Sequence, residues 1–461
     1  MRLGPFPGAA SWTARGAGRF NGSDEPVTPP EDPRSGERAP TTSDMSTEAS
    51  LSSGPETQGR RAAFGFIFVS AVAAAMSIGI MVPVLPNLLK QFTGGDTASA
   101  AEWNVIFATC GGAMSVLAGP ILGLLSDRWG RRPVLLISLF GLGFDFLFMA
   151  FAPSLAWLFV GRLISGATAA IFSTANAYVA DVTLPENRAR AFGWMGSAFS
   201  FGFVAGPAIG GLLGQIDLRL PFMAAAALTL ANAAYGLFIL PESLPLTRRV
   251  AAFSLRLANP VGSLRLLRSR DGLSRLAGVY FLNQLAQMVW PSVFVLYLGY
   301  RYHWSTGAIG LLMMAGGLMG VGVQSFLVGP VIRRFGERGA LLAGAAAGAI
   351  GLGWYGLAPT GWAYVAGMPI SCLGGLMIPG LQGLMTQRVG ASEQGQLQGA
   401  NQSLAGLASV IGPSIFGLAF AWAVRHPALG LAGLPLLEAS ACMVACVAIG
   451  LGAGHRSPAL V

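Results

Sequence analysis

From residue 62 onward the chain is a succession of long apolar runs, at about 62–86, 104–125, 133–152, 155–180, 191–214, 221–240, 276–298, 308–329, 340–358, 361–385, 396–420 and 431–453. A helix of about 20 residues crosses a hydrocarbon core of roughly 30 Å, and each run is close to that length. Only 11% of the residues are charged while 53% are apolar, a balance no soluble core needs. The predicted fold is an all-α membrane protein of twelve transmembrane helices. An even number of spans places both ends on one side of the bilayer.

The runs divide into two sixes that repeat. Gly123-Leu-Leu-Ser-Asp-Arg-Trp-Gly-Arg-Arg-Pro133 joins the second and third runs. It holds one acid, Asp127, and three cations, Arg128, Arg131 and Arg132. Gly123 and Gly130 permit close approach and a tight turn, and Pro133 suits the first turn of the next helix. A degenerate copy, Gly329-Pro-Val-Ile-Arg-Arg-Phe-Gly-Glu-Arg338, follows 206 residues later. It aligns Gly336 with Gly130, Arg334 with Arg128 and Arg338 with Arg132, and puts Arg333 in place of Asp127. At the same offset Gly193, Gly206, Pro207 and Gly211 recur as Gly399, Gly412, Pro413 and Gly417. A constant register in two separated places marks a duplication, and repeated halves with a substrate site between them are a transporter architecture.

Arginines set the sidedness. Alternate loops carry nineteen cations in one set, including Arg128, Arg131, Arg132, Arg188, Arg190, Arg333, Arg334 and Arg338, against four in the other, Lys90, Arg219, Arg301 and Arg425. Positive charge resists translocation, so both termini are predicted to be cytoplasmic. The formal charge of +9 is therefore a topology signal, and nucleic acid is not a partner. Residues 1–61 are rich in Pro, Gly, Ser and Thr with no apolar signal segment, and are predicted to be a disordered cytoplasmic tail. Met45 within it is an alternative start. Residues 62–240 form the N-terminal six-helix bundle, 241–275 a basic, partly helical cytoplasmic linker that can also touch anionic lipid heads, 276–453 the C-terminal bundle and 454–461 a short tail.

Charge inside a span is costly and usually functional. Asp145 in the third run and Arg162 in the fourth fall at similar depth, so they can pair. The pair is either a structural bridge or a proton-coupling site. Glu438 lies near the end of the twelfth run, where it can reach water. Asp181 ends the fourth run near Asp127 and Arg131, as an ordinary helix-end charge or as part of a network that breaks when the halves rock. Gly193, Gly202, Gly206, Pro207, Gly210 and Gly211 fill the fifth run with small residues and one kink, for close helix approach. Asn283, Gln284 and Gln287 in the seventh run, with Gln324 and Gln382, are candidates to line a substrate cavity or simply polar packing. Cys110, Cys372, Cys442 and Cys446 have neither zinc nor disulfide spacing and read as small packing residues. The three histidines lie outside the spans, and the chain has no Walker loop for ATP. No metal or cofactor is implied.

Over about 62–453 these residues resemble the major facilitator superfamily, and more narrowly its tetracycline-efflux drug/proton antiporters. The likeness is carried by Pro83-Val-Leu-Pro86, Leu125-Ser-Asp-Arg-Trp-Gly-Arg-Arg-Pro-Val-Leu135, Gly161-Arg-Leu-Ile-Ser-Gly166, Ala180-Asp-Val-Thr183, Phe192-Gly-Trp-Met195, Gly206-Pro-Ala-Ile-Gly-Gly211 and Leu381-Gln-Gly-Leu-Met385. It implies that Asp127, Arg131 and Asp181, framed by Gly123, Arg128, Gly130 and Arg132, form an inner-face network that secures the outward-open state. It implies that Asp145 and Arg162 are the helix 3 acid and helix 4 arginine of the family. The sequence departs from the pattern at Ala74 and Gly348, where the family carries acids, and at Gly320, where it carries a histidine. The implied function is a monomeric inner-membrane secondary transporter, no enzyme, that exports small amphipathic molecules, tetracycline-like drugs included, by proton antiport and alternating access. A facilitative or uptake carrier for a metabolite, and a non-transporting receptor on the same fold, are the other readings. The fifth-run glycines favour the first over the second, and the lack of a large extramembrane segment between runs speaks against the third.

Reporter fusions at Leu246 and at Val461 should both read cytoplasmic. A periplasmic signal at either would reverse the orientation.

Overall fold

A peptide group in hydrocarbon has no water to bond, so a spanning segment must satisfy its amides internally. The computed structural model describes residues 55–249, 266–267, 272–390 and 393–452, and among them finds helix and turn but no strand. The predicted tail up to residue 54, most of the linker and residues 454–461 lie outside the described residues. The spans are α1 Phe64–Phe92, α2 Thr97–Trp129, α3 Arg131–Phe151, α4 Leu155–Val182, α5 Pro185–Ile216, α6 Leu220–Ile239, α7 Leu273–Tyr302, α8 306–335, α9 337–357, α10 Gly361–Thr386, α11 Gln394–Arg425 and α12 Leu434–Gly452.

Three boundaries differ from expectation. The helix that becomes α1 begins at Pro55, inside the segment predicted to be disordered, because a buried apolar helix extends outward at little further cost. Helix α7 starts at Leu273, inside the predicted linker. No loop separates α8 from α9: helix runs from Thr306 to Leu357 for 52 residues, broken in direction at one point. That point is Gly336, with φ 70° and ψ 174°. Its repeat partner Gly130, between α2 and α3, has φ 109° and ψ 163°. Both lie in a region open essentially to glycine alone, which is why glycine stands at both. Gly123 by contrast sits inside the α2 helix and makes no turn.

The repeat extends through the helices. At the same offset, α3 and α9 begin and end together, and Ala152-Pro-Ser154 before α4 matches Ala358-Pro-Thr360 before α10. Packing follows suit. In the first half α1 lies against α5 and α6, and α3 against α4 and α6; in the second α7 lies against α11 and α12, and α9 against α10 and α12. The halves meet where α2 packs on α11 and α5 on α8.

The fifth-helix glycines build two of these interfaces. A Cβ on Gly202 would stand 2.5 Å from the Ala75 Cβ, one on Gly206 would stand 2.7 Å from the Met76 carbonyl oxygen, and one on Gly210 would overlap Ile80. The opposite face of α5 crosses the halves, with Gly211 against Thr306 and Gly310. The repeat does the same: Gly412 lies on Met288 of α7, and Gly417 on Val105 of α2 across the halves. Gly193 has open space.

All cross-half polar contacts among the described residues lie away from the Gly130 turn. Asn87 donates to Thr306 at 3.1 Å, Gln215 to Ser305 at 2.9 Å, and Glu102 pairs with Arg425 at 2.5 Å. Asn104 donates to the carbonyls of Pro291 and Ser292 at 3.1 and 2.8 Å. These contacts join the halves at the end opposite Gly130 and Gly336.

Gly210→Ala should destabilise by about 1–3 kcal/mol through overpacking against α1, read as a lower unfolding temperature in detergent. Gly193→Ala should leave that temperature unchanged.

Candidate functional site

At the end carrying Gly130, α2 stops at Trp129 and α3 starts at Arg131. No side chain of that turn caps α3. The cap comes from 111 residues away: Glu242, just past α6, accepts from the backbone N–H of Arg131 at 2.8 Å and of Arg132 at 3.2 Å. A carboxylate at a helix N-terminus is favoured by the helix dipole. Arg131 Nη1 bonds Asp127 at 2.5 Å and Ser126 Oγ at 3.1 Å, and its Nε bonds Asp181 at 3.1 Å. Ser243 donates to Asp181 at 3.3 Å, and Arg132 Nη2 donates to the Leu237 carbonyl at 2.5 Å. Arg128 is exposed. Asp127, Arg131 and Asp181 are thus brought together, with Glu242 as a fourth member that no span pattern pointed to. Every partner lies in the first half or, as Glu242 and Ser243, just past α6.

Deeper in, Arg162 Nη1 bonds Asp145 Oδ2 at 3.1 Å. Asp145 is fully buried. The pair uses one bond only; Asp145 Oδ1 and Arg162 Nε have no partner. A bidentate pair would hold more tightly. Gly161 makes room for the acid, since a Cβ there would stand 2.9 Å from Asp145 Oδ1. The same Arg162 Nη1 lies 3.2 Å from Met81 Sδ. Met81 is the last residue before α1 breaks, where Pro83 and Pro86 remove donors and the helix restarts at Leu85.

Just past that break is a cavity of about 540 Å³, between Val82 and Phe203 of the first half and Trp290, Phe294, Tyr355 and Tyr364 of the second. Other helices are irregular around it. Helix α7 is interrupted at Met288, α8 has a π segment at Val323–Leu327, and α10 breaks at Gly367 and again at Leu373–Leu376. Irregular backbone at membrane depth is tolerated where it is buried in protein or lines a cavity. Asn104 takes up two carbonyls, of Pro291 and Ser292, beside the α7 break; it is a polar residue at the edge of the second run that the sequence reading passed over.

None of the five predicted amides lines this cavity. Asn283 is buried and donates to Gln284 at 3.3 Å, Gln287 is exposed, Gln382 is half-buried, and Gln324 sits in the π segment and donates to the Gly375 carbonyl at 3.2 Å. The wall is aromatic instead. Tyr364, one of its residues, has a buried hydroxyl without a partner among the described residues, which costs about 1–3 kcal/mol in the empty state. Glu438, expected to reach water, has one carboxylate oxygen buried and unpartnered. Of the departures, Ala74 is fully buried, and a Cβ on Gly348 would stand 2.6 Å from Met443 Cε, the far end of a flexible side chain. No cluster of metal-ligating side chains occurs among the described residues.

The family model of the major facilitator superfamily matches residues 67–413. The chain belongs to this superfamily. It is 41% identical over 341 residues to the tetracycline resistance protein, class C, of Escherichia coli, covering 74% of this chain and 85% of that protein. It is 38% identical over 339 residues to the class G protein of Vibrio anguillarum, covering 74% and 85%. Among solved structures, the nucleoside transporter NupG superposes with a TM-score of 0.69 at 13% identity over 85% of this chain and 99% of that one, which shows the shared fold. In this superfamily member the turn between α2 and α3 owes its cap to Glu242.

Glu242→Ala should remove the α3 cap and cost about 1–2 kcal/mol. Hydrogen exchange at the first turn of α3 should rise selectively, while exchange at the start of α9 stays as it was.

Proposed function

We propose that this protein is a secondary active transporter that exports small amphipathic molecules, tetracycline-like drugs among them, by proton antiport through alternating access. The tetracycline resistance proteins it resembles support the drug-export reading. In this reading the arginine-rich face lies in the cytoplasm, with both termini on that side of the inner membrane.

The observation that carries proton coupling is the singly bonded Asp145–Arg162 pair, buried beside the α1 break and next to the cavity. With Asp145 ionised, Arg162 is held on α3 and α4. When Asp145 takes a proton, Arg162 loses its counter-charge and keeps only the Met81 sulfur, a weak acceptor. A cation left buried without its partner is unstable by several kcal/mol, so protonation favours a rearrangement that rehydrates Arg162. Met81 carries that rearrangement to Val82 in the cavity wall. Proton and substrate therefore compete through one joint. Ala74 and Gly348 remove the acids found elsewhere in the family and leave Asp145 as the acid beside this joint.

Asp127, Arg131, Asp181 and Glu242 act as a rigid clamp on the cytoplasmic ends of α2, α3 and α4, so that the first half moves as one body. Gly202, Gly206 and Gly210 lock α5 onto α1 within that body, and Gly211 gives the close surface on which α5 moves against α8. The bilayer, protons and a small molecule are the partners of a monomer, with no nucleic acid and no cofactor. A facilitative carrier would have no use for the buried pair.

Reconstituted vesicles with an imposed pH gradient test the coupling. Asp145→Asn should insert and bind tetracycline yet lose uphill transport, keeping downhill exchange. Uphill transport at the wild-type rate by this variant would end the coupling assignment.

A further inference from the structure

Helix α4 is two helices. It runs from Leu155 to Ala167 and again from Ile171 to Val182, and Thr168–Ala170 between them are not helical. No proline lies in the gap. Thr168 Oγ1 donates back to the Ile164 carbonyl at 2.9 Å, a bond that bends helices. The same side chain fills a socket on α3, since a Cβ on Gly141 would overlap Thr168. The joint is thus pinned to α3 at one point.

The two segments are fastened differently. The second belongs to the clamp: Asp181 is held by Arg131 at 3.1 Å, and Tyr178 donates to the Pro241 carbonyl at 2.8 Å. The first carries Arg162, whose one bond to Asp145 ties it to α3. It meets α2 backbone to backbone, because a Cβ on Gly166 would stand 2.8 Å from the Gly111 carbonyl oxygen. Among the described residues of α2, α4 and α6, the helices packed on α3, Arg162 is the charged side chain that faces Asp145.

The repeat offers a comparison. At the offset relating the halves, Thr168–Ala170 match Gly374–Leu376 of α10. There the chain passes as a tight helical turn: Leu376 has φ −69° and ψ −22°, whereas Ala170 has φ −114° and ψ 10°. The α10 joint is fastened by Gln324, whose amide donates to the Gly375 carbonyl at 3.2 Å. The matched residues are Ala118 and Ala169. Ala118 packs on the small cluster that holds Ala170, but it has no amide to offer. Among the described residues no hydrogen bond reaches the carbonyls of Ala167 or Ala169. A few residues at the ends of two elements, free of ladder bonds, are where a chain absorbs a change in direction.

We propose that Thr168–Ala170 is a hinge in α4, and that release of Arg162 by a protonated Asp145 turns the Leu155–Ala167 segment on it while the Asp181 segment stays in the clamp. The first half keeps this joint free by placing Ala118 where the second half has Gln324. The proposal rests on the coupling reading above and names its moving part.

Hydrogen exchange of the purified full chain in lipid nanodiscs reads the joint directly. Asp145→Asn stands in for the protonated acid. It should raise exchange at the amides of 169–173 about fivefold or more, with 375–379 unchanged. Ala118→Gln supplies the missing amide. It should slow exchange at 169–173 about fivefold, the effect of one added hydrogen bond, and cut uphill tetracycline export about tenfold at unchanged tetracycline affinity. Ala118→Met, similar in size without the amide, should do neither. Gln324→Met should raise exchange at 375–379. Exchange at 169–173 that ignores Asp145→Asn, slowed exchange with wild-type export in Ala118→Gln, an equal loss of export in Ala118→Met, or no response at 375–379 to Gln324→Met would each overturn the proposal. Should Ala118→Gln fail to fold, the Asp145→Asn and Gln324→Met results decide. Uphill export lost in Asp145→Asn with unaltered exchange at the joint would remove the hinge and spare the coupling reading. Raised exchange with uphill export retained would do the reverse.

Discussion

The bilayer forbids an unsatisfied peptide group, and most of this structure follows from that one constraint. Spans must be helices, so the architecture reduces to which helices touch. Where a span breaks, the freed groups need another partner, and the breaks therefore mark places of special chemistry. Helices α1, α7, α8 and α10 all depart from regular helix, and residues at or beside the breaks in α1, α7 and α10 line the cavity. The partners are specific: Asn104 takes two carbonyls beside the α7 break, and Gln324 takes the Gly375 carbonyl at the α10 break. Polar side chains here maintain irregular backbone and leave the cavity wall to aromatic rings.

The two halves share a scaffold and divide the chemistry. Gly130 and Gly336 make the same glycine-only turn, and the glycine pairs 206/412 and 211/417 make the same contacts within and across the halves. On this common frame the first half carries the ion pair and the second carries the rings. That division suits a carrier with two ligands. A proton needs a buried carboxylate with a cation to release, while an amphipathic molecule needs apolar surface that will not trap it by charge. Placing them on opposite halves, joined at the α1 break by Met81 and Val82, lets each be felt by the other without sharing a side chain.

Much of this was legible in the chain itself. Twelve apolar runs, the repeat and the pairing of depth between Asp145 and Arg162 follow from helix length and periodicity, which membrane sequences must obey. The Asp127–Arg131–Asp181 cluster was legible because its members sit at span ends. Glu242 was not, since a cap contributed from beyond α6 leaves no local pattern at α3. The continuity of α8 into α9 was hidden because the charged stretch Arg333–Arg338 reads as a loop, whereas a single residue in an unusual conformation turns the chain. The aromatic cavity was not legible for a related reason. Amides stand out against an apolar background, but aromatic residues are equally common in cores and on lipid-facing surfaces, and only helix breaks show which of them gather at one place.

The remaining asymmetry lies at the end carrying Gly130 and Gly336, and the repeat explains which part of it is structural. Arg132 caps the Leu237 carbonyl at the end of α6, and its partner Arg338 caps the Leu451 carbonyl at the end of α12, so this arginine belongs to the scaffold. At the positions of Arg131 and Asp181 the second half has Glu337 and Gln387, and these too are bonded, at 2.9 Å. The same two points are tied in both halves, but by an ion pair in one and by a carboxylate and an amide in the other. A fastening alone would be served by either. The charged version adds Asp127 and Glu242 around one arginine, while the second half places Arg333 where Asp127 stands. The two halves therefore differ in sign at matched positions, an asymmetry that two identical halves would lack.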